Sequence, residues 1–142
     1  MRQVDVAGAA RLVLVEGATL LHPEPAMFEA MLMGWRTQQE SRLLAAPTVD
    51  MRDKTIRRFQ GFAGEYPWRW RPDDLEGWTV SLRSASRSRT TIRAYQNALA
   101  MFCDYLCDAR YGWVAECEER FGEHPVQICH EWNTADHVAD YE

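Results

Sequence analysis

The stretch from Ser88 to Leu106, SRTTIRAYQNALAMFCDYL, constrains the fold most, because it spells an amphipathic helix with its own start signal. Ile92, Tyr95, Leu99, Phe102 and Leu106 recur at intervals of three and four, which puts all five on one stripe. Ser88 and Thr90 are the N-cap candidates, since a short side-chain oxygen there accepts from an otherwise unpaired backbone N–H. Arg89, Arg93, Gln96 and Asn97 fall off the stripe. Such a helix buries one side and offers a polar, basic opening to a partner, and nucleic acid suits that chemistry.

The rest of the chain is organised around similar helices. From Ala26, Phe28, Leu32, Trp35 and Gln39 keep helical spacing and predict a first helix; Gly34 weakens it only modestly. Residues 1–25 carry no clear period, and His22-Pro23-Glu24-Pro25 is expected to stop whatever forms there, so they are expected to be an irregular N-terminal arm. Ala45 to Asp50 is expected as a loop, with Asp50 capping a second helix over Met51 to Ala63 whose Ile56, Phe59 and Phe62 or Ala63 face inward. Gly64 closes it. Tyr66 to Trp70 is an aromatic connection, its tryptophans expected to plug the bundle from outside. Pro72 suits the first turn of a third helix to about Leu82, and Asp73, Asp74 and Glu76 suit its positive end. Arg83 to Arg89 has no apolar anchor and is expected as a flexible basic loop. A short acidic helix follows Tyr111-Gly112-Trp113 and runs through Phe121, and residues 123–142 are expected as a linker or docking segment. The expected architecture is all-α: four main helices and a short fifth over residues 26–122.

Read from Thr91 through Arg93, Tyr95, Leu99, Phe102, Tyr105 and Leu106, the fourth helix resembles the last main helix of the core-binding domain of tyrosine recombinases, the phage-type integrases. A second matching segment runs Thr55-Ile56-Arg57-Arg58-Phe59, then Gly64-Glu65-Tyr66-Pro67-Trp68, then Pro72-Asp73-Asp74-Leu75. The resemblance covers roughly residues 27–140, and the tail from Tyr111-Gly112-Trp113 to Glu131-Trp132-Asn133 is most similar to actinobacterial members. It implies a four-helix, SAM-like clamp that grips double-stranded DNA for integration and recombination. It also implies a separate C-terminal catalytic domain as partner and contacts between protomers on DNA.

Charge bears on this expectation twice. The chain carries a formal −5, which on its face argues against a polyanionic partner. Residues 36–93, however, hold twelve Lys and Arg against seven acids, whereas residues 94–142 hold two against ten. A basic middle is thus joined to an acidic end. Within the middle, Arg52, Lys54, Thr55, Arg57 and Arg58 on the second helix are candidate DNA contacts, with Arg87, Ser88, Arg89, Thr90 and Thr91 before and within the fourth. Hydroxyls and cations suit phosphates; Arg93, Gln96 and Asn97 suit base edges. The blander reading of these residues is a solvated helix face.

Cys103, Cys107, Cys117, His124, Cys129, His130 and His137 crowd the last forty or so residues, and thiolate with imidazole is what tetrahedral zinc takes. No C-x-x-C pair occurs and the spacings match no common zinc module, so the thiols are read as buried side chains and no cofactor is expected. Were a metal held, Cys103, Cys117, His124 and Cys129 would be its ligands. Catalysis finds no support: Tyr141 lies in an acidic stretch without neighbouring catalytic groups, and no phosphate loop or Ser/His/Asp set can be placed. The longest apolar run, near Leu12 to Leu21, is broken by Glu16 and Gly17 and too short to span a bilayer, so no membrane partner and a cytoplasmic protein are expected. Two rival readings are a protein-interaction module with an acidic, Trp-bearing docking tail and a small metal-stabilised domain.

Overall fold

The structure is a computed structural model that describes residues 22–136. Five helices follow one another: α1 Pro23–Ser41, α2 Ala46–Ala63, α3 Pro72–Ser84, α4 Arg89–Cys107 and the short α5 Trp113–Phe121. Single 3-10 turns at Pro67–Arg69 and Ala109–Tyr111 bridge them, a third at Glu131–Asn133 follows α5, and the described residues contain no strand. The all-α architecture of four main helices and a short fifth is as expected. Most of the N-terminal arm lies outside the described residues.

Two helix starts differ from expectation for one reason. Pro23 and Pro25 open α1, and Pro47 lies in the first turn of α2, which begins at Ala46. A proline in the first turn forfeits only an N–H that has no helical partner, so these residues begin helices that a breaker rule would end. Asp50 is accordingly no cap. It sits inside α2 and accepts from Arg36 Nη2 at 2.8 Å. Gly64 does end α2, in the left-handed conformation at φ 71° that glycine adopts without a Cβ clash. Ser88 caps α4, its Oγ accepting from the Thr91 N–H at 3.1 Å, so Thr90 is not the cap.

The stretch expected as a flexible loop is instead a helix end and a tight turn. α3 runs through Ser84, and Ala85, Ser86 and Arg87 donate back to Ser81, Arg83 and Leu82 carbonyls at 2.9–3.0 Å. Ser86 takes φ 63° to make the reversal.

α2 is the centre of the bundle, packing on α1, α3 and α4. Met31, Ile56, Phe59, Leu75, Leu99, Phe102, Leu106 and Trp113 have no solvent exposure. Of the α4 stripe, Tyr95 alone is half-buried, lying flat on Trp78 with ring centres 5.5 Å apart. Trp68 and Trp70 do not plug the bundle from outside; both are buried within it. Trp70 meets the edge of Phe59 at 4.7 Å, and Trp68 is sandwiched between Tyr66 at 5.4 Å and Phe121 at 4.4 Å. Aromatic pairs in these geometries add to the burial of the rings themselves.

The chain after Gly122 returns along α4. Ile128 inserts into the core, and Gln127 Nε2 donates to the Ala100 carbonyl at 3.0 Å and to Asp104 Oδ1 at 2.7 Å. Up to Asp136, therefore, the segment expected as a linker is packed against the bundle.

Candidate nucleic-acid interface

The α2 cations divide into two sets. Arg57 is spent internally, its two Nη atoms on the Glu29 carboxylate at 2.7 and 2.8 Å and its Nε on Asp53 at 2.5 Å. Hydrogen bonding from Arg57 holds the Glu29 carboxyl below its ordinary range. Arg52 donates to Gln39 Oε1 at 2.9 Å, and buried Thr55 turns its hydroxyl back to the Met51 carbonyl. Lys54 and Arg58 point outward without an ion pair among the described residues. Arg58 reaches over the Tyr95 ring, 6.0 Å from its centre, and so connects the α2 face to the second turn of α4.

A second basic group gathers where α3 ends and α4 begins. Arg83 and Arg87 are exposed and form no ion pair among the described residues. Arg83 was no candidate from sequence, although its spacing of four from Arg87 was a readable signal that both reach the same helix end. Arg89 Nη2 donates to the Asp136 backbone carbonyl. Thr90 is exposed, and Thr91 accepts from the Ser88 hydroxyl at 3.0 Å. Arg93, half-buried, and Asn97, exposed, border a neighbouring hollow that His130 also lines. The N-terminal end of the α4 dipole adds positive potential here.

Gln96 is a correction. Its side chain is buried, Nε2 donating to Thr79 Oγ1 at 3.0 Å and Oε1 accepting from the Ala135 N–H at 2.7 Å. One amide thus ties α3, α4 and the C-terminal segment together, and its burial withdraws it from the surface where a base edge would come. Above it, Arg83, Arg87, Arg89 and Trp132 line a cleft of about 470 Å³.

The cysteines are four free thiols. Cys103 is buried beside Cys129, and hydrogen bonding to that sulfur, reinforced by burial, raises its pKa well above the ordinary thiol value. Burial pushes Cys117 up to about 12 from 9.0. Cys107 Sγ faces the Pro125 carbonyl at 3.7 Å, and exposed His124 turns Nδ1 to the same carbonyl at 3.0 Å. Among the described residues no three His, Cys, Asp or Glu side chains are grouped to hold a metal, so Cys103, Cys117, His124 and Cys129 are not brought together as ligands. His137 and Tyr141 lie outside the described residues.

The raised Cys117 pKa has a signed consequence. A thiol that holds its proton more tightly when folded stabilises the fold fully below its unfolded pKa near 9.0, and that stability is lost as pH rises towards about 12. Tyr105 behaves alike between 10.0 and about 12, burial raising it although the Trp113 indole N–H donates to its oxygen at 3.0 Å. The melting temperature is expected to hold to about pH 9 and fall steadily to pH 12, with Cys117→Ala flattening the early part of that fall.

No family model, curated protein or solved structure matches this chain. No helix among the described residues is long and apolar enough to cross a membrane.

Proposed function

We propose that this chain is a helical module that binds double-stranded DNA, of the kind that serves tyrosine recombinases as a core-binding clamp. The observation that carries the reading is the gathering of Arg83, Arg87 and Arg89 around one cleft at the N-terminal end of α4. Lys54 and Arg58 extend the basic surface along α2, joined to α4 through Tyr95. Cations and helix N-termini spread over two elements match the curved line of phosphates on a duplex. Asn97 and Arg93 stand where base edges would come. In this reading the module grips half of a recombination site as one of several protomers, and bond cleavage belongs to a catalytic domain that these helices do not contain. Four free thiols fit a cytoplasmic location.

Anisotropy titrations of a labelled duplex across salt concentrations test the reading. Neutralising about four phosphates through Lys54, Arg58, Arg83 and Arg87 gives a log–log slope of about −3.6, at roughly 0.9 per phosphate. The double variant Arg83→Ala/Arg87→Ala should lose about 1.8 of that slope, while Arg57→Ala, already satisfied by Glu29 and Asp53, should leave it unchanged. Asn97→Ala should relax sequence preference instead. Affinity indifferent to salt would refute DNA binding. It would favour the protein-interaction module, which the exposed Trp132 between Glu131 and the acidic C-terminal end supports.

A further inference from the structure

The cleft at the start of α4 has features that duplex binding does not use. Besides facing the phosphates of a duplex, Arg83, Arg87 and Arg89 line a concavity of about 470 Å³, too small to take the duplex itself. That volume lies within the usual range for small-molecule sites. Trp132, an indole 70% exposed to solvent, lines the same cleft. The other five tryptophans are between 0 and 4% exposed, so this one is the exception in the chain.

Trp132 is also held in place. The His130 imidazole stacks on it, ring centres 4.9 Å apart and planes within 10°, which supports one side of the ring and leaves the indole largely open. The short turn bearing it is bonded by side chains at both ends. Asn133 Oδ1 accepts from the His130 N–H at 2.7 Å, Asn133 Nδ2 donates to the Ile128 carbonyl at 3.0 Å, and Thr134 Oγ1 donates to the His130 carbonyl at 2.8 Å. The next residue, Ala135, is fixed to α4 through Gln96. A large apolar ring exposed on a braced turn, lining one cleft with guanidinium groups, is a preorganised platform for something flat and anionic.

We infer that this cleft is a binding site for a single unpaired nucleotide, its phosphate held by Arg83 and Arg87 and its base stacked on Trp132. Guanidinium forks match phosphate oxygens in pairs, and every base has a face that an indole can cover. The same chemistry is offered by a free nucleoside triphosphate and by an unpaired nucleotide at the end of a DNA strand. A paired base inside a duplex has no face to offer. The site therefore does not depend on the duplex reading, and the two can fail separately.

Tryptophan emission reads the site directly, because Trp132 is the indole open to quencher. The full chain would be titrated with adenosine triphosphate, inorganic tripolyphosphate, a blunt duplex, and the same duplex with a short single-stranded tail. Adenosine triphosphate, the tailed duplex or both should quench the emission and shield it from acrylamide, and which does so identifies the source of the nucleotide. Tripolyphosphate should bind roughly tenfold or more weakly and leave the emission unchanged. Trp132→Ala should remove the preference for adenosine triphosphate over tripolyphosphate, or for tailed over blunt DNA, by a similar factor. Arg83→Ala/Arg87→Ala should weaken every phosphate-bearing ligand. Quenching by a tail without any binding of blunt duplex would uphold the nucleotide site and reject the duplex reading. No quenching by either nucleotide source overturns the inference, as does a Trp132→Ala variant that binds both as the parent does.

Discussion

Replacing Phe59 with alanine is expected to cost roughly 3–5 kcal/mol of folding stability, the range for removing a fully buried phenyl ring. Phe59 has no solvent exposure and sits on the central helix with its ring against Trp70 at 4.7 Å and Trp78 at 5.2 Å. Its removal leaves a cavity walled by two indoles that are themselves wedged among other rings, so collapse into the space is resisted. Phe62, one turn along the same helix, supplies the control. It is 46% exposed, its ring passing beside Gly77 on α3, and Phe62→Ala should cost about 1 kcal/mol or less. Chemical denaturation of the two variants side by side checks the pair. Equal losses would mean that the inward face of α2 is misplaced.

Ile128→Ala is expected to cost about 2–4 kcal/mol, although Ile128 lies beyond the last α-helix. Its side chain is fully buried against the bundle, and the residues flanking it are bonded to α4 by Gln127 and Gln96. Ending the chain at Gly122 should cost more, since it removes Ile128, uncovers Cys103 and leaves the buried amide of Gln96 without its Ala135 partner. A buried polar group stripped of a partner is penalised by about 1–3 kcal/mol. A passive linker predicts no change in melting temperature for either variant, so thermal denaturation of both decides between linker and structural strap. A shared consequence follows for the candidate interface. If the strap detaches, Trp132 leaves the cleft, and the quenching by nucleotide described above should vanish while binding through Lys54 and Arg58 persists.

Local signals carried far in this chain. The α4 stripe was legible because its spacing repeats over about four turns, and Ser88, Gly64 and Pro72 were legible because a cap, a left-handed residue and a first-turn proline act within three or four residues of themselves. Pro23, Pro25 and Pro47 follow the same rule as Pro72, but without a periodic run starting at them the breaker reading prevailed. The candidate interface was less legible. Arg57, Arg58, Arg52 and Lys54 look equivalent in sequence, yet Arg57 meets Glu29 from twenty-eight positions away and Arg58 meets Tyr95. Counting charges along the chain could not separate a neutralised arginine from an exposed one.

Most of the helices, their apolar faces and the basic middle of the chain could be read from neighbouring residues, because helix period, capping and composition are local properties. Where polar groups find their partners depended on which distant surfaces met in the folded bundle. Gln96 had the position and chemistry of a base reader until α3 and Ala135, thirty-nine residues on, closed around it. The tail had the weak pattern of a linker until Ile128 found the core. Burial and long-range hydrogen bonding are set by which surfaces meet, and a polar side chain enclosed there keeps the partners it has, since leaving them unpaired costs more than a contact with solvent or ligand returns.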